Sequence, residues 1–223
     1  MAKVYSELDE RLIEFILSQP MFFVATAPCL DASGEGGHVN VSPKGYRDTF
    51  AVIDPLTVAY LDLTGSGAET IAHLRQNGRI TIMFCSFDRQ PKILRIHGTG
   101  QVILPGDSRW PELAAHFPGA TTSPASLADP TSPASPANTA DRVSPARPVS
   151  PGDHGVDRGN HRAIIVVTAD RISDSCGYAI PVMELTTERD QLTRWAERRT
   201  PEGLTDYRIK HNSYSIDGLP ALS

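Results

Sequence analysis

Short β-rich runs set the texture of the first half of the chain: Phe22 to Thr26, His38 to Ser42, Phe50 to Ile53, Thr57 to Leu63, Arg79 to Phe87 and Ile93 to Leu104. Turn residues such as Asp31 to Gly37 and Asp54-Pro55 separate them, which predicts antiparallel hairpins rather than βαβ units. Two stretches keep helical spacing instead. Leu8, Leu12, Ile13, Phe15 and Ile16 recur behind Ser6, with Asp9 in the first turn, which predicts a capped amphipathic helix that lids part of the sheet. Between two strands, Gly67 to Asn77 places Ala68, Ile71, Ala72 and Arg75 along one face and has Gly78 at its end. A small antiparallel barrel is the natural closure of such a series.

After Leu104 the pattern breaks. Ser108 to Phe117 has room for one or two helical turns, whereas Gly119 to Gly159 is almost wholly Pro, Ala, Ser, Thr, Asp and Gly. Such a composition buries too little apolar surface to offset the entropy of ordering, so disorder is expected there. Strand character returns at His161 to Ile172, and Cys176 to Pro181 is expected to close the sheet. Two helices follow. One covers Glu188 to Arg199, with Leu192, Trp195 and Ala196 on one face. The other runs from Pro201, behind the cap Thr200, to about His211. The reading is therefore a single domain, mainly β with flanking helices, built from residues 1–104 and 160–223. A Pro/Ala/Ser-rich insertion at 105–159, expected to lack order, interrupts it.

Charge and composition narrow the partners. A formal net charge of -5 over 223 residues argues against a broad basic surface for nucleic acid and leaves room only for a local anion pocket. Cys29, Cys85 and Cys176 are far apart and show no Cys-x-x-Cys spacing, so they are expected to be buried small hydrophobes in a reducing compartment rather than a disulfide framework or a zinc site. The longest apolar runs, such as Met21 to Ala25 and Ala163 to Val167, are too short for a membrane span. The first residues turn acidic at once, unlike a secretory signal. The expected location is cytoplasmic, without membrane or nucleic-acid partners and with a small-molecule ligand.

Three segments carry candidate chemistry. In His38-Val39-Asn40-Val41-Ser42, alternation sends Val39 and Val41 to one face, expected to be the core, and His38, Asn40 and Ser42 to the other, with Lys44 just beyond. Such a row suits a polar ring edge, and it equally suits the wet face of an antiparallel sheet. Thr64-Gly65-Ser66-Gly67-Ala68-Glu69-Thr70 spaces Ser66 and Glu69 as a capping box; the same glycine-flanked helix start offers free N–H groups to a phosphate. Ile93-Leu94-Arg95-Ile96-His97-Gly98 puts Arg95 and His97 on one strand face, as surface residues or as a cation near an anionic ligand. His38, His73 and His97 have no carboxylate at a telling spacing, so no side-chain catalyst is assigned. Asp62 and Asp217 are expected to serve turns or polar networks.

Taken in order, Asn40-Val41-Ser42-Pro43-Lys44-Gly45, Tyr60-Leu61-Asp62-Leu63-Thr64-Gly65-Ser66-Gly67, Gly78-Arg79-Ile80-Thr81-Ile82-Met83-Phe84 and Ile93-Leu94-Arg95-Ile96-His97-Gly98 resemble the pyridoxamine 5′-phosphate oxidase-like superfamily. Its members are FMN-binding split β-barrels. The chain looks most like an uncharacterised oxidase-related branch whose strand ends in Val-Ser-Pro-Lys/Arg-Gly; Cys176 to Pro181 and Asn212 to Pro220 look like segments of the same branch. The resemblance implies a homodimer with FMN at the subunit interface. Asn40, Val41 and Ser42 would line the isoalloxazine or ribityl chain, Lys44, Ser66, Gly67 and Thr70 would be near the phosphate, and Arg95 would approach from a neighbouring strand. FAD, a deazaflavin or haem are the alternative ligands.

One departure bears on function. The vitamin-converting oxidases of the superfamily grip the phosphate with an Arg-Lys pair at the helix start, where this chain has Gly67 and Ala68, and their Arg-rich carboxy-terminal pattern is absent. The resemblance therefore implies a flavin-dependent oxidoreductase acting on a small organic substrate rather than pyridoxal phosphate synthesis, or a non-catalytic flavin or haem carrier. Under this resemblance, a phosphate grip would need Lys44, Arg95 or a residue of the second subunit to compensate.

Overall fold

In the computed structural model, residues 3–29, 36–117, 120 and 160–223 are described; most of the Pro/Ala/Ser-rich segment lies outside them. Eight strands form one antiparallel sheet: β1 (Val4–Tyr5), β2 (Phe22–Thr26), β3 (Asn40–Lys44), β4 (Phe50–Asp54), β5 (Thr57–Leu63), β6 (Arg79–Cys85), β7 (Ile93–Ile103) and β8 (His161–Ser175). Among the described residues five α-helices accompany them: α1 (Glu10–Ser18), α2 (Glu69–Asn77), α3 (Trp110–Ala114), α4 (Gln191–Glu197) and α5 (Pro201–Asn212). The main strand order is β3-β2-β6-β7-β8-β5-β4, with β1 added to β8.

No hydrogen-bonded ladder joins the two ends of this sheet, β3 and β4. Side chains close it instead. Phe22 of β2 meets Phe50 of β4 with ring centroids 4.9 Å apart, Tyr60 of β5 at 5.5 Å and Phe84 of β6 at 5.7 Å; Phe50 meets Phe84 at 5.0 Å. Strands remote in the sheet order thus share one aromatic centre, as in a barrel that is split along one seam. The expected antiparallel split barrel is what forms. Leu8, Leu12 and Ile16 of the α1 segment and Ile71, Ala72 and Leu74 of α2 complete the same core. The cap of α1 is Asp9 rather than Ser6: the Asp9 Oδ1 accepts the Leu12 N–H at 2.8 Å, one turn later than the apolar spacing suggests.

The long β7–β8 ladder bends through a register shift at His97/Gly98. A Cβ at Gly98 would lie 2.1 Å from the Thr168 carbonyl oxygen, so only glycine lets the two backbones approach this closely. Cys176 to Ile180 forms a turn, not the expected closing strand, because β8 already extends to Ser175 and pairs there with Ile93. The first part of the 105–159 segment is folded: Trp110, Ala114, Phe117 and Ala120 pack with Ala51, Ala59, Leu61, Ile103 and Ile164 in a second core. Of the cysteines, only Cys85 is buried; Cys29 and Cys176 are exposed and correct the expectation that all three are buried.

Candidate functional site

The site begins with which way β3 faces. β3 is an edge strand, which tolerates Pro43, a residue with no N–H to give a ladder. It pairs with β2 in the register Phe22↔Lys44, Val24↔Ser42 and Thr26↔Asn40. Phe22, Val24 and Thr26 are buried, so Asn40, Ser42 and Lys44 share the interior side with them. Val39 and Val41 are on the outer side, 70% and 63% exposed, and the expected assignment of these valines to the core is reversed. Alternation separates two faces but does not say which one the rest of the chain covers. Here α2 and Asp62 of β5 cover the polar one.

Beneath α2 the polar row is hydrogen-bonded throughout. The Asn40 amide donates to Thr70 Oγ1 at 3.0 Å and to Thr26 Oγ1 at 3.3 Å, and the Ser42 hydroxyl donates to Asn40 Oδ1 at 3.0 Å. Thr26 Oγ1 lies 2.9 Å from His73 Nδ1. His73 is fully buried, and this burial lowers its pKa, with partial opposition from Asp217 and Glu69; its Nε2 has no partner. This is a preorganised amide–hydroxyl ladder, of the kind that orients a polar ligand edge.

At the other end of the row stands a charge cluster. The Asp62 carboxylate, 1% exposed, accepts from Lys44 Nζ at 3.1 Å on one oxygen and from Arg162 Nε at 2.7 Å on the other. Burial pulls the Asp62 pKa upward, but the two cations outweigh it and hold the carboxyl below its ordinary value. Tyr60, two residues along β5, has its phenol pushed well above the usual range by burial and by the Asp62 charge. Arg162 also donates through Nη2 to the Gly67 carbonyl at 2.7 Å, while its Nη1 is buried without an acceptor. From α5, Arg208 donates to Thr64 Oγ1 at 2.9 Å and to the His161 carbonyl at 3.2 Å; burial and the neighbouring Arg162 both lower its pKa. Asn212 donates to the Gly65 carbonyl at 3.0 Å, so α5 lies along the loop that leads into α2.

The capping box expected at this loop does not form. Ala68 occupies the cap position of α2 with no side-chain bond to the helix start, while Glu69 accepts the Ile216 N–H at 3.4 Å from the carboxy-terminal turn. Ser66 and Gly67 are exposed. Among the sequence-derived candidates, then, Asn40, Ser42, Lys44, Gly67 and Thr70 converge around the start of α2, with Ser66 at its exposed edge. Val41 and Arg95 do not join them. Arg95 alternates with the buried Leu94 and Ile96 and donates to Ser175 Oγ at 3.1 Å, so it belongs to the outer face of the sheet, as Val41 does.

Two features escaped sequence reasoning. Arg162 and Arg208 lie far from the recognisable segments, and no local pattern marks them. His38 does have a carboxylate, 179 residues away: its Nδ1 and backbone N–H each meet one oxygen of Asp217 at 2.7 Å. A Cβ at Gly37 would lie 2.2 Å from Asp217 Oδ2, so glycine there makes room for the pair. No grouping of three or more potential metal ligands is present among the described residues, and none of their helices is long and apolar enough to cross a membrane.

Comparison with known proteins agrees with this architecture. A sequence profile of pyridoxamine 5'-phosphate oxidase matches residues 8–147. The chain is 37% identical over 232 residues to the pyridoxamine 5'-phosphate oxidase family protein ustO of Aspergillus flavus, across 98% of this chain and 77% of that protein. Among solved structures, a FAD-binding protein from Mesorhizobium loti is similar with 13% identity and a TM-score of 0.42, over 78% of this chain and 96% of that one. A pyridoxamine 5'-phosphate oxidase-related, FMN binding protein from Nostoc punctiforme is similar with 14% identity and a TM-score of 0.42, over 74% and 82%. With the extent of the profile match and the identity to the fungal protein, the chain belongs to the pyridoxamine 5'-phosphate oxidase family.

Proposed function

We propose that this protein binds a flavin, FMN, and uses it as an oxidoreductase on a small organic substrate other than a pyridoxal phosphate precursor. The observation that carries the reading is the interior polar row of β3. Asn40 and Ser42 are held by Thr26 and Thr70, and the row ends in a cation cluster beside the uncapped start of α2. This arrangement fits a ligand with a polar ring system at one end and an anion at the other. The unpaired Arg162 Nη1 and His73 Nε2 are groups that such a ligand would satisfy. A bound flavin would supply two-electron redox chemistry; Asn40 and Ser42 would orient its polar edge, and the buried aromatic centre would keep water from one side.

The functional unit in this reading is a homodimer. Val39 and Val41 leave an apolar outer edge on β3, 70% and 63% exposed, and Val182 and Met183 add 68% and 61% exposed surface in the extended segment before α4. A second copy that covers these side chains would remove them from water.

The test is a titration of the purified protein with FMN, followed by absorbance and fluorescence. Saturable binding at one FMN per chain supports the reading. A protein that stays colourless and leaves free FMN fluorescence unchanged would refute it, and uptake of haem or a deazaflavin in place of FMN would redirect it. Turnover of a nicotinamide reductant by the loaded protein separates an enzyme from a carrier.

A further inference from the structure

Residues 213–223 return to the barrel as a hook whose two legs are fixed. On the outgoing leg the Ser213 hydroxyl donates to the Ile209 carbonyl of α5 at 2.6 Å. On the returning leg Ala221 is fully buried in the main core; its N–H donates to the Ser213 carbonyl at 2.8 Å, and the Leu222 N–H donates to the Asn212 carbonyl at 3.1 Å. Tyr214 and Pro220 bridge the legs. Between them the chain turns tightly. The Gly218 N–H donates to the Ser215 carbonyl at 3.0 Å, the Ser215 hydroxyl accepts from the N–H groups of Asp217 and Leu219, and Gly218 takes a φ of 75° that favours glycine. The tip is a preformed turn on anchored legs.

Little holds the tip itself. Tyr214 and Ile216 are 59% and 71% exposed, so lifting the tip uncovers little apolar surface. Among the described residues, the hydrogen bonds of the tip beyond the hook go to two places. The Ile216 N–H reaches Glu69 Oε1 at a long 3.4 Å, and the Asp217 carboxylate accepts from His38 Nδ1 and from the His38 N–H, each at 2.7 Å. The second contact is short and charge-assisted, so it is the clasp. Glycine at position 37 leaves room for it, since a Cβ there would force the carboxylate aside. Both attachment points border the polar row. His38 is in phase with Asn40 of β3, and Glu69 opens α2 with His73 one turn further on the same face. A tip held between them spans the end of the row, where the Asn40 amide, Thr70 and Thr26 lie. Beneath it His73 is fully buried, its Nε2 has no partner, and the charges of Asp217 and Glu69 both act on it.

We infer that the Tyr214–Gly218 turn is a flap over the His38 end of the polar row, clasped shut by the Asp217–His38 pair, and that a ligand reaches Asn40, Thr70 and His73 when the flap lifts. The identity of that ligand rests on the flavin reading; the flap itself does not. The legs at Ser213 and Ala221 stay seated and act as the hinge, because they are bonded to α5 and to the core, whereas the tip is bonded only through its clasp and the long Glu69 contact. Such a device sets rates rather than affinity. The clasp closes the flap equally with and without a ligand beneath it, so a weaker clasp speeds entry and exit together and cancels from the equilibrium.

The experiment uses the intact protein and three variants that release the clasp by different routes: Asp217→Asn removes its charge, His38→Gln its ring donor, and Gly37→Ala presses on the carboxylate while both partners stay in place. In the flavin-free protein, mass spectrometry follows the modification of His73 by diethyl pyrocarbonate, with the buried His161 of β8 as the control for general loosening. With FMN as the probe, stopped-flow fluorescence follows association and release. Each variant is expected to speed His73 modification about tenfold, as for one charge-assisted bond, and to raise both FMN rates by a similar factor with a dissociation constant constant within about threefold. Unchanged His73 reactivity overturns the flap, and so does an equal gain at His161. Faster His73 modification with unaltered FMN rates overturns it too, because the turn would then be loose without being a gate. A weaker FMN complex with an unaltered association rate does the same, since His38 and Asp217 would then be ligand contacts. Should FMN not bind at all, the flavin reading falls and His73 decides alone: faster modification in the variants sustains the flap, and none removes it. Should one variant fail to fold, the other two decide.

Discussion

Replacing Asp62 by Asn is the most direct perturbation of the buried charge cluster. The carboxylate is 1% exposed and holds Lys44 Nζ at 3.1 Å and Arg162 Nε at 2.7 Å, one on each oxygen. The Asp62→Asn side chain keeps the shape but loses the charge, and its NH₂ turns one accepting position into a donor that faces a cation. Removing one member of a buried ion pair typically costs about 3–5 kcal/mol, because the remaining charge stays buried and unpaired. Arg162 is in that position. Lys44, with 22% of its side chain exposed, recovers part of its hydration and adds less.

For a domain of this size, about 3–5 kcal/mol corresponds to a fall in melting temperature of roughly 6–20 °C. Urea unfolding at neutral pH measures the free energy directly, with an unchanged m-value as the check that the unfolded state is the same. The pH dependence supplies an independent arm. The folded-state pKa of Asp62 is depressed, so the carboxylate stabilises the fold fully above its unfolded value of about 3.9, and that contribution is lost as pH falls through the lower folded value. The difference between the parent protein and Asp62→Asn is therefore expected to be constant from pH 7 down to about 5 and to shrink below about 4. A loss under about 1 kcal/mol at pH 7, within the range of exposed ion pairs, would refute the argument that this cluster is desolvated.

Other outcomes follow from the same structure. Phe22→Ala removes the ring that touches Phe50, Tyr60 and Phe84 across the seam of the barrel, and urea unfolding should show a loss of about 3–5 kcal/mol; a loss below about 1 kcal/mol would mean that the seam is not closed by these rings. Gly98→Ala forces a methyl group against the Thr168 carbonyl and should destabilise the fold by about 1–3 kcal/mol, whereas Gly45→Ala, where nothing lies within 4 Å, should stay within about 0.5 kcal/mol. In the native protein Cys29 and Cys176 should react with a thiol reagent and Cys85 only after unfolding, since Cys85 is 6% exposed and its burial raises the thiol pKa; rapid modification of three thiols without denaturant would contradict that placement. Asp217→Asn should increase hydrogen exchange in the Ser215–Leu219 turn while leaving the barrel amides protected, because the lost contacts to His38 hold only that turn to the approach to β3.

Much of the fold was legible in the order of residues. The strand runs Phe22–Thr26 and Thr57–Leu63 form as spaced, α2 ends where Gly78 stands, and Thr200 caps α5 by accepting the Gly203 N–H. These are local matters: pattern period, turn chemistry and capping act within a few residues, so the sequence carries them directly. The glycine and serine at the start of α2 and the Asn40-Ser42-Lys44 row were recognisable for the same reason, and with them the family.

Tertiary structure decided what those residues face. Alternation in β3 separated Asn40, Ser42 and Lys44 from Val39 and Val41, but only the packing of α2 and β5 over the polar side made that side the interior. The capping box between Ser66 and Glu69 was sound as a spacing, yet Glu69 is drawn to the Ile216 N–H from a turn 147 residues away. Arg162, Arg208 and the His38–Asp217 pair were invisible for the same reason: polar partners are chosen by distance in space, and these lie 47 to 179 residues apart along the chain. By itself the sequence determined a split barrel and the separation of the two faces of β3. The charge cluster of Lys44, Asp62 and Arg162 exists only after β3, β5 and β8 have come together.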